Sequence, residues 1–172
     1  MVDQAFDAEP MLRTLGRHEV RFIIIGGMAA IFHGSPLLTQ DLDITPERGG
    51  ANLTKLSNAL RELDAKVRAV ELEEPLPFSH DAASLGAVQV WNLSTPHGDL
   101  DISFTPTGTR GYDDLRRDAG EVTFRGLRIL VASLADVVRS KEAAGRDKDR
   151  RALPVLREIL ARRLHEQPPA ND

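Results

Sequence analysis

Two aspartates that alternate with apolar residues carry the strongest chemical signal in this sequence, in the run Asp41-Leu42-Asp43-Ile44. Aspartate is disfavoured inside strands, yet a strand here would place both carboxylates on one face and both apolar side chains on the other. Two such anions would lie about 6.5 Å apart and repel by roughly 2 to 3 kcal/mol at an effective dielectric near 20. A cation between them removes that repulsion, so the pattern predicts a divalent-metal site.

The same alternation returns later in the chain, in the run Asp99-Leu100-Asp101-Ile102. If the two strands are neighbours in a sheet, three or four carboxylates share one face. Carboxylate oxygens on rigid strands are ligands that Mg²⁺ prefers. Spacing alone does not choose between Asp99 and Asp101 as the third ligand.

A glycine pair, Gly26-Gly27, ends the apolar run of residues 22–25. Glycines at the end of a strand and the start of a helix allow backbone N–H groups to approach a phosphate closely. Taken alone, the pair is also what a tight strand-to-helix turn requires. The acidic run farther along the chain favours the phosphate-binding interpretation.

Thirteen residues (28–40) separate Gly27 from Asp41. An apolar run, two glycines and a two-carboxylate strand at this distance resemble the nucleotidyltransferase superfamily of the DNA polymerase β type. The resemblance implies that a nucleoside triphosphate is the substrate and that a two-ion Mg²⁺ site is held by Asp41, Asp43 and Asp101. It also implies transfer of a nucleoside monophosphate to a hydroxyl, with Gly26 and Gly27 beside the phosphates.

The segment from Ser140 to Arg146, followed by Lys148-Asp149, is similar to the helical tail of small bacterial nucleotidyltransferase toxins of the AbiEii and MenT kind. That resemblance implies an RNA 3′ end, such as the acceptor stem of tRNA, as the acceptor, and an antitoxin protein as a partner. Two other functions stay open: transfer to a hydroxyl of a protein or of a small molecule such as an antibiotic, and a non-catalytic nucleotide-binding module.

Lys141 falls on the apolar stripe of its predicted helix, so it either extends to the surface or contacts an anion such as the triphosphate. Arg146 and Lys148 are candidates for the same contact, and Asp149 is expected to pair with Lys141 or Arg146. Ser35 and Thr39 are further candidates for phosphate contacts, although polar residues in turns more often satisfy the backbone.

Composition narrows the function further. The 172 residues include no cysteine, which excludes disulfides, thiolate metal sites and cysteine nucleophiles, and fits a cytoplasmic location. An aromatic content of 5% argues against a base-stacking surface. The longest nearly apolar stretch, residues 22–32, is too short to span a membrane. The net charge is −4, but residues 141–163 carry eight basic and four acidic side chains, so we expect one basic end.

The periodicity predicts an α+β fold with a mixed central β-sheet, flanking helices and a helical C-terminal segment. We expect a catalytic core over residues 1–132, C-terminal helices over 133–166 that pack on it, and a disordered tail over 167–172. Residues 67–70 are predicted to form a strand. Ser133 is predicted to begin a helix that ends at Gly145. The last helix is expected to start near Pro154, because proline is excluded from helix interiors.

Overall fold

The computed structural model describes residues 5–167, so most of the predicted tail lies outside the described residues. Seven strands form one mixed sheet in the order β3-β4-β5-β2-β1-β7-β6. In chain order the strands are β1 (Phe22–Ile25), β2 (Asp41–Pro46), β3 (Lys66–Val67), β4 (Val90–Thr95), β5 (Gly98–Ser103), β6 (Gly120–Phe124) and β7 (Leu127–Val131). The helices are α1 (Ala8–Arg17), α2 (Gly26–Phe32), α3 (Gly50–Glu62), α4 (Ala82–Gly86), α5 (Tyr112–Arg116), α6 (Leu134–Ala144) and α7 (Asp147–Glu166). This confirms the predicted fold class.

The centre of the sheet combines parallel and antiparallel pairs. Strand β2 runs parallel to β5 and antiparallel to β1, while β1 runs parallel to β7. Parallel pairing requires a long connection between the two strands, so β2 and β5 meet although some fifty residues separate them in the chain. The consequence is that two acidic runs remote in sequence become neighbours.

Alternation along β2 and β5 separates an apolar face from an acidic one. Leu42, Ile44, Leu100 and Ile102 are all completely buried in the hydrophobic core, which also includes the buried leucines of α3. The aspartates between them point to the other face of the sheet. Burial of the apolar face fixes the register, because a slip of one residue would put the aspartates into the core.

Two sequence predictions about local structure need correction. The strand predicted over residues 67–70 extends only over Lys66–Val67, and the chain leaves the sheet edge after Arg68, whose backbone N–H still bonds to β4. Helix α7 begins at Asp147 and contains Pro154 in its interior, so the predicted start near Pro154 is wrong. Pro154 is exposed, so water can reach the carbonyl that loses its hydrogen-bond donor, while burial of Leu153 and Leu156 stabilises the helix on both sides of the proline.

Helices α2 and α6 place the remaining polar groups beside the acidic face. Helix α2 contacts β1, β2 and α6, and α6 packs along α7. As predicted, Ser133 caps α6, accepting from the N–H of Asp136 at 3.1 Å, and Gly145 ends the helix in the left-handed conformation. None of the described helices has the length and apolarity needed to cross a membrane.

Candidate active site

The two acidic strands bring their carboxylates together. Residues 41 and 99 are register partners, as are 43 and 101, so four aspartates share one face. Asp41, Asp43 and Asp101 each offer an oxygen within 4.8 Å of the other two. All three are half-buried, which leaves one side of the cluster open. Among the described residues, no other group of three carboxylate or histidine side chains is close enough to hold a metal ion.

The electrostatics of the trio favour a cation. Burial, together with the neighbouring charges of Asp41 and Asp101, raises the pKa of Asp43 to about 7. Burial also raises the pKa of Asp101, against the opposing effect of the Arg68 guanidinium. A raised carboxylate pKa means that the negative charge is costly where it stands. A divalent ion held by these oxygens would offset that cost, so the residues fit Mg²⁺.

The glycine pair lies directly against this cluster. Gly26 has φ +64°, and a Cβ added to it would lie 2.2 Å from Oδ2 of Asp43. A Cβ on Gly27 would lie 2.8 Å from Oγ1 of Thr39. Gly26 therefore excludes a side chain both by its positive φ and by lack of space. Gly27 excludes one by lack of space alone. At these two positions, only backbone atoms form the edge of the acidic cluster.

Thr39 and Ser35 make local contacts at this edge. The Thr39 hydroxyl lies 2.8 Å from Oδ1 of Asp41 and donates to it, which orients that carboxylate. Ser35 is buried, and its hydroxyl oxygen accepts from the N–H of Leu37 at 3.3 Å. Both residues line the small cavity next to Gly27. The structure thus places them beside the predicted phosphate site while giving each hydroxyl a partner within the protein.

Lys141 and Arg146 are held by one buried carboxylate. The Asp149 side chain is completely buried and accepts from Nζ of Lys141 at 3.3 Å and from Nε of Arg146 at 2.7 Å. It also accepts from the backbone N–H of Arg146 at 3.2 Å. Burial opposes ionisation of Asp149, but the hydrogen bonds and charges of Arg146 and Lys141 outweigh it and lower the pKa. The predicted local pairing of Asp149 is therefore what the structure shows.

The same cations face the acidic cluster. Lys141 and Lys148 are close enough to Asp43 to lower its pKa, and Arg146 responds to the charges of Asp41 and Asp43. Lys148 has no ion-pair partner between residues 5 and 167 and is exposed. Three cations opposite three carboxylates are an arrangement suited to a polyphosphate with bound divalent ions.

Two cavities flank these residues. A cleft of about 390 Å³ lies on the side of Asp101, and a smaller cavity of about 160 Å³ lies on the side of Asp41, Gly27 and Thr39. Five residues line both cavities: Gly26, Asp43, Lys141, Arg146 and Lys148. The acidic cluster therefore stands between two spaces, each of which reaches the same cations.

One residue at the cluster was missed by the sequence reasoning. Nη2 of Arg68 donates to Oδ1 of Asp101 at 2.6 Å, and Nε lies 3.3 Å from Oδ1 of Asp99. No local pattern around residue 68 signals this role, because it arises only when β3, β4 and β5 pair side by side.

Five of the eight basic side chains of the C-terminal segment, residues 141–163, form ion pairs within the protein. Arg150 pairs with Asp147 at 2.8 Å, and Arg157 pairs with Glu142 at 2.8 Å. Arg162 pairs with Glu158, and Arg163 donates to His33. The four acidic partners all lie within the same segment, so its excess of basic over acidic residues remains. In the described part of the chain, Lys148, Arg151 and Arg163 are the basic residues of this segment without an ion-pair partner.

Comparison with known proteins supports the fold and does not identify a closer relationship. No protein-family model and no curated protein matches the sequence. A proposed nucleotidyltransferase from Thermotoga maritima is 19% identical, with a TM-score of 0.53 over 92% of this chain and 91% of that one. The lincomycin-bound lincosamide adenylyltransferase LnuA is 14% identical, with a TM-score of 0.61 over 91% of this chain and 99% of that one.

A third solved structure, ANT(2″)-Ia in complex with adenylyl-2″-tobramycin, is 13% identical, with a TM-score of 0.56 over 88% of this chain and 86% of that one. Each of these likenesses extends over at least 86% of both proteins. The chain therefore has the nucleotidyltransferase fold.

Proposed function

We propose that this protein is a Mg²⁺-dependent nucleotidyltransferase that moves a nucleoside monophosphate from a nucleoside triphosphate to a hydroxyl acceptor. The observation that carries the proposal is the convergence of Asp41, Asp43 and Asp101 within 4.8 Å, opposite Lys141, Arg146 and Lys148. The nucleotidyltransferase fold supports it.

The chemistry of the transfer matches these residues. The acceptor oxygen forms a bond to the α-phosphorus, the bond from that phosphorus to the bridging oxygen breaks, and pyrophosphate leaves. Two Mg²⁺ ions, held by Asp41, Asp43 and Asp101, would lower the pKa of the attacking hydroxyl and neutralise the charge on the leaving group. Asp101 borders the larger cleft and accepts the acceptor's proton.

The remaining residues bind and orient the triphosphate. Lys141 and Arg146 supply positive charge to the phosphates, and Asp149 holds both side chains in place. Gly26 and Gly27 leave room for the phosphates to approach the backbone. Thr39 fixes the orientation of the Asp41 carboxylate.

For the acceptor, we propose an RNA 3′ end such as that of tRNA. The exposed cations Lys148 and Arg151 lie on α7, where they would meet a phosphodiester backbone. The test is incubation with α-labelled nucleoside triphosphates, Mg²⁺ and total RNA. Label should enter RNA with wild-type protein and not with Asp41→Asn. Equal labelling by both proteins, or no labelled RNA in the presence of active enzyme, would contradict the RNA acceptor.

A toxin role belongs to the same proposal. An enzyme that blocks tRNA ends would stop growth, so it would require an antitoxin protein. Induced expression of the wild-type chain should arrest growth, while Asp41→Asn should not. Normal growth with soluble, active wild-type protein would exclude that role.

One observation favours a second candidate acceptor, a small molecule with hydroxyl groups. Apart from the three shared cations, the described lining of the 390 Å³ cleft contains no basic side chain; its polar groups include Asn92, Ser103, Thr107, Thr109 and Asp136. Such a lining suits a neutral or cationic molecule better than a phosphodiester. LnuA bound to lincomycin and ANT(2″)-Ia bound to an adenylylated tobramycin have the same fold. Label recovered in an added aminoglycoside or lincosamide, and not in RNA, would select this candidate.

A further inference from the structure

Arg68 makes an unusual set of contacts for a residue in a loop. Its backbone N–H donates to the carbonyl of Asn92 at 2.9 Å, and its Nε donates to the carbonyl of Leu93 at 3.2 Å. Its side chain is about a third exposed. The guanidinium is thus fixed to β4 before it reaches the acidic strand beyond it, so its position does not depend on the carboxylates alone.

From that position, the guanidinium contacts both aspartates of β5. Nη2 lies 2.6 Å from Oδ1 of Asp101, and Nε lies 3.3 Å from Oδ1 of Asp99. The register places Asp99 beside Asp41 and Asp101 beside Asp43, so four carboxylates could in principle converge. Only three of the four form the close cluster, and Asp99 is the one outside it.

We propose that Arg68 is a positioning residue for the metal-binding carboxylates, an inference that rests on the proposed nucleotidyl transfer. Arg68 gives the two aspartates of β5 different roles. It neutralises Asp99, which keeps the fourth negative charge out of the cluster. It also occupies one oxygen of Asp101, so the other oxygen is the one presented to a metal ion and to the acceptor hydroxyl.

The effects of Arg68 on Asp99 and on Asp101 depend on different properties of its side chain. Neutralising Asp99 requires only a positive charge, which a lysine also carries. Fixing one oxygen of Asp101 while bonding to the Leu93 carbonyl requires the planar fork of an arginine. Arg68→Ala removes both properties, and Arg68→Lys removes the fork while keeping the charge.

The experiment measures Mn²⁺ binding by electron paramagnetic resonance, together with steady-state kinetics, for the full-length chain. Arg68→Ala should bind Mn²⁺ roughly tenfold more tightly, because a positive charge beside the ligands has been removed. Its kcat should fall about 100-fold while KM for the triphosphate stays within about threefold, because Asp101 is no longer held. Arg68→Lys should keep the wild-type Mn²⁺ affinity and lose a similar factor in kcat.

A matched control removes the same charge elsewhere. Arg128 forms an exposed ion pair with Glu121 at 2.8 Å, between the two strands at the far edge of the sheet from β3. Arg128→Ala should leave both Mn²⁺ affinity and kcat at wild-type values. Melting curves for all variants show whether each is folded.

The outcomes separate this inference from the proposed function. Wild-type protein that binds no Mn²⁺ would refute the metal-dependent function and this inference together. Wild-type binding with Arg68→Ala unchanged in both Mn²⁺ affinity and kcat would refute the role of Arg68 alone, because the contact would then be an ordinary surface ion pair. Weaker Mn²⁺ binding by Arg68→Ala would also overturn it, since the charge would not be competing with the ion.

Discussion

Gly26 and Asp43 approach each other so closely that a methyl group on Gly26 would lie 2.2 Å from the Asp43 carboxylate oxygen Oδ2. The contact links the turn after β1 to the acidic strand β2, since residues 25 and 43 are also register partners. The glycine is therefore part of the geometry of the acidic cluster as well as of the turn.

We predict that Gly26→Ala weakens Mn²⁺ binding by at least about tenfold, because the added methyl group would push the Asp43 carboxylate away from the other two. The matched control is Gly34→Ala. Gly34 also has a positive φ, +99°, but an added Cβ there meets nothing within 4 Å. Both variants should lose about 1 to 2 kcal/mol of stability from backbone strain, and only Gly26→Ala should lose Mn²⁺. Equal Mn²⁺ affinity in the two would contradict the role given to this contact.

The third carboxylate is tested by comparing Asp101→Asn with Asp99→Asn. Asp101 belongs to the close trio, and Asp99 does not. We expect Asp101→Asn to lower kcat by roughly 1000-fold and Asp99→Asn by less than about tenfold, measured under saturating triphosphate. The reverse order would move the third ligand to Asp99.

The buried Asp149 supports both stability and triphosphate binding. Asp149→Asn leaves Lys141 and Arg146 without their shared carboxylate, which should cost about 3 kcal/mol of unfolding free energy. That corresponds to a melting temperature lower by roughly 6 to 12 °C for a chain of this size. KM for the triphosphate should rise as the two cations lose their orientation.

Asp147→Asn is the control for that variant, because Asp147 lies in the same helix and pairs with Arg150 at the surface. We expect it to change the melting temperature by no more than about 2 °C. Calorimetry measures the melting temperature of both variants. Equal decreases in Asp149→Asn and Asp147→Asn would contradict the role of Asp149.

His33 should make stability depend on pH. Nε2 donates to the carbonyl of Ala132 at 2.7 Å, and Nδ1 accepts from Arg163 at 2.8 Å, so the folded protein requires the neutral ring. Burial lowers the pKa of His33 against the opposing effect of the Ala132 hydrogen bond, and the Arg163 charge lowers it further. The unfolded chain therefore binds this proton more readily than the folded one, and stability is lost as pH falls below the ordinary value of 6.5.

The measurement is urea unfolding of wild type and His33→Gln at pH 7.5 and pH 5.5. Wild type should be the more stable protein at pH 7.5, and its advantage should shrink at pH 5.5. His80, whose pKa is also lowered by burial, contributes equally to both proteins and cancels in the difference. An advantage that stays constant with pH would show that His33 does not titrate in this range.

The sequence was most informative where a local pattern decides a local structure. Alternation in β2 and β5 predicted which side chains share a face, and Ser133 and Gly145 predicted the ends of α6. The sheet order could not be predicted in the same way, because the parallel pairing of β2 with β5 joins segments far apart in the chain.

The contacts of Arg68 show the same limit more sharply. In the structure, the two-residue strand β3 positions Arg68 so that its guanidinium reaches β5. The sequence around Arg68 predicted only a longer strand. Pro154 shows a different limit: a strong local rule against proline in helices was outweighed by the burial of Leu153 and Leu156 around an exposed position.

The central claim is that the carboxylates of Asp41, Asp43 and Asp101 hold divalent ions beside a bound triphosphate. Calorimetric titration with a non-hydrolysable triphosphate analogue, with and without Mg²⁺, tests it most directly. The wild-type protein should bind the analogue tightly only with Mg²⁺. The double variant Asp41→Asn, Asp43→Asn should lose that dependence while melting at no lower temperature than wild type, because it removes two mutually repelling charges. Binding that is the same with and without Mg²⁺, or unchanged in the double variant, would contradict the claim.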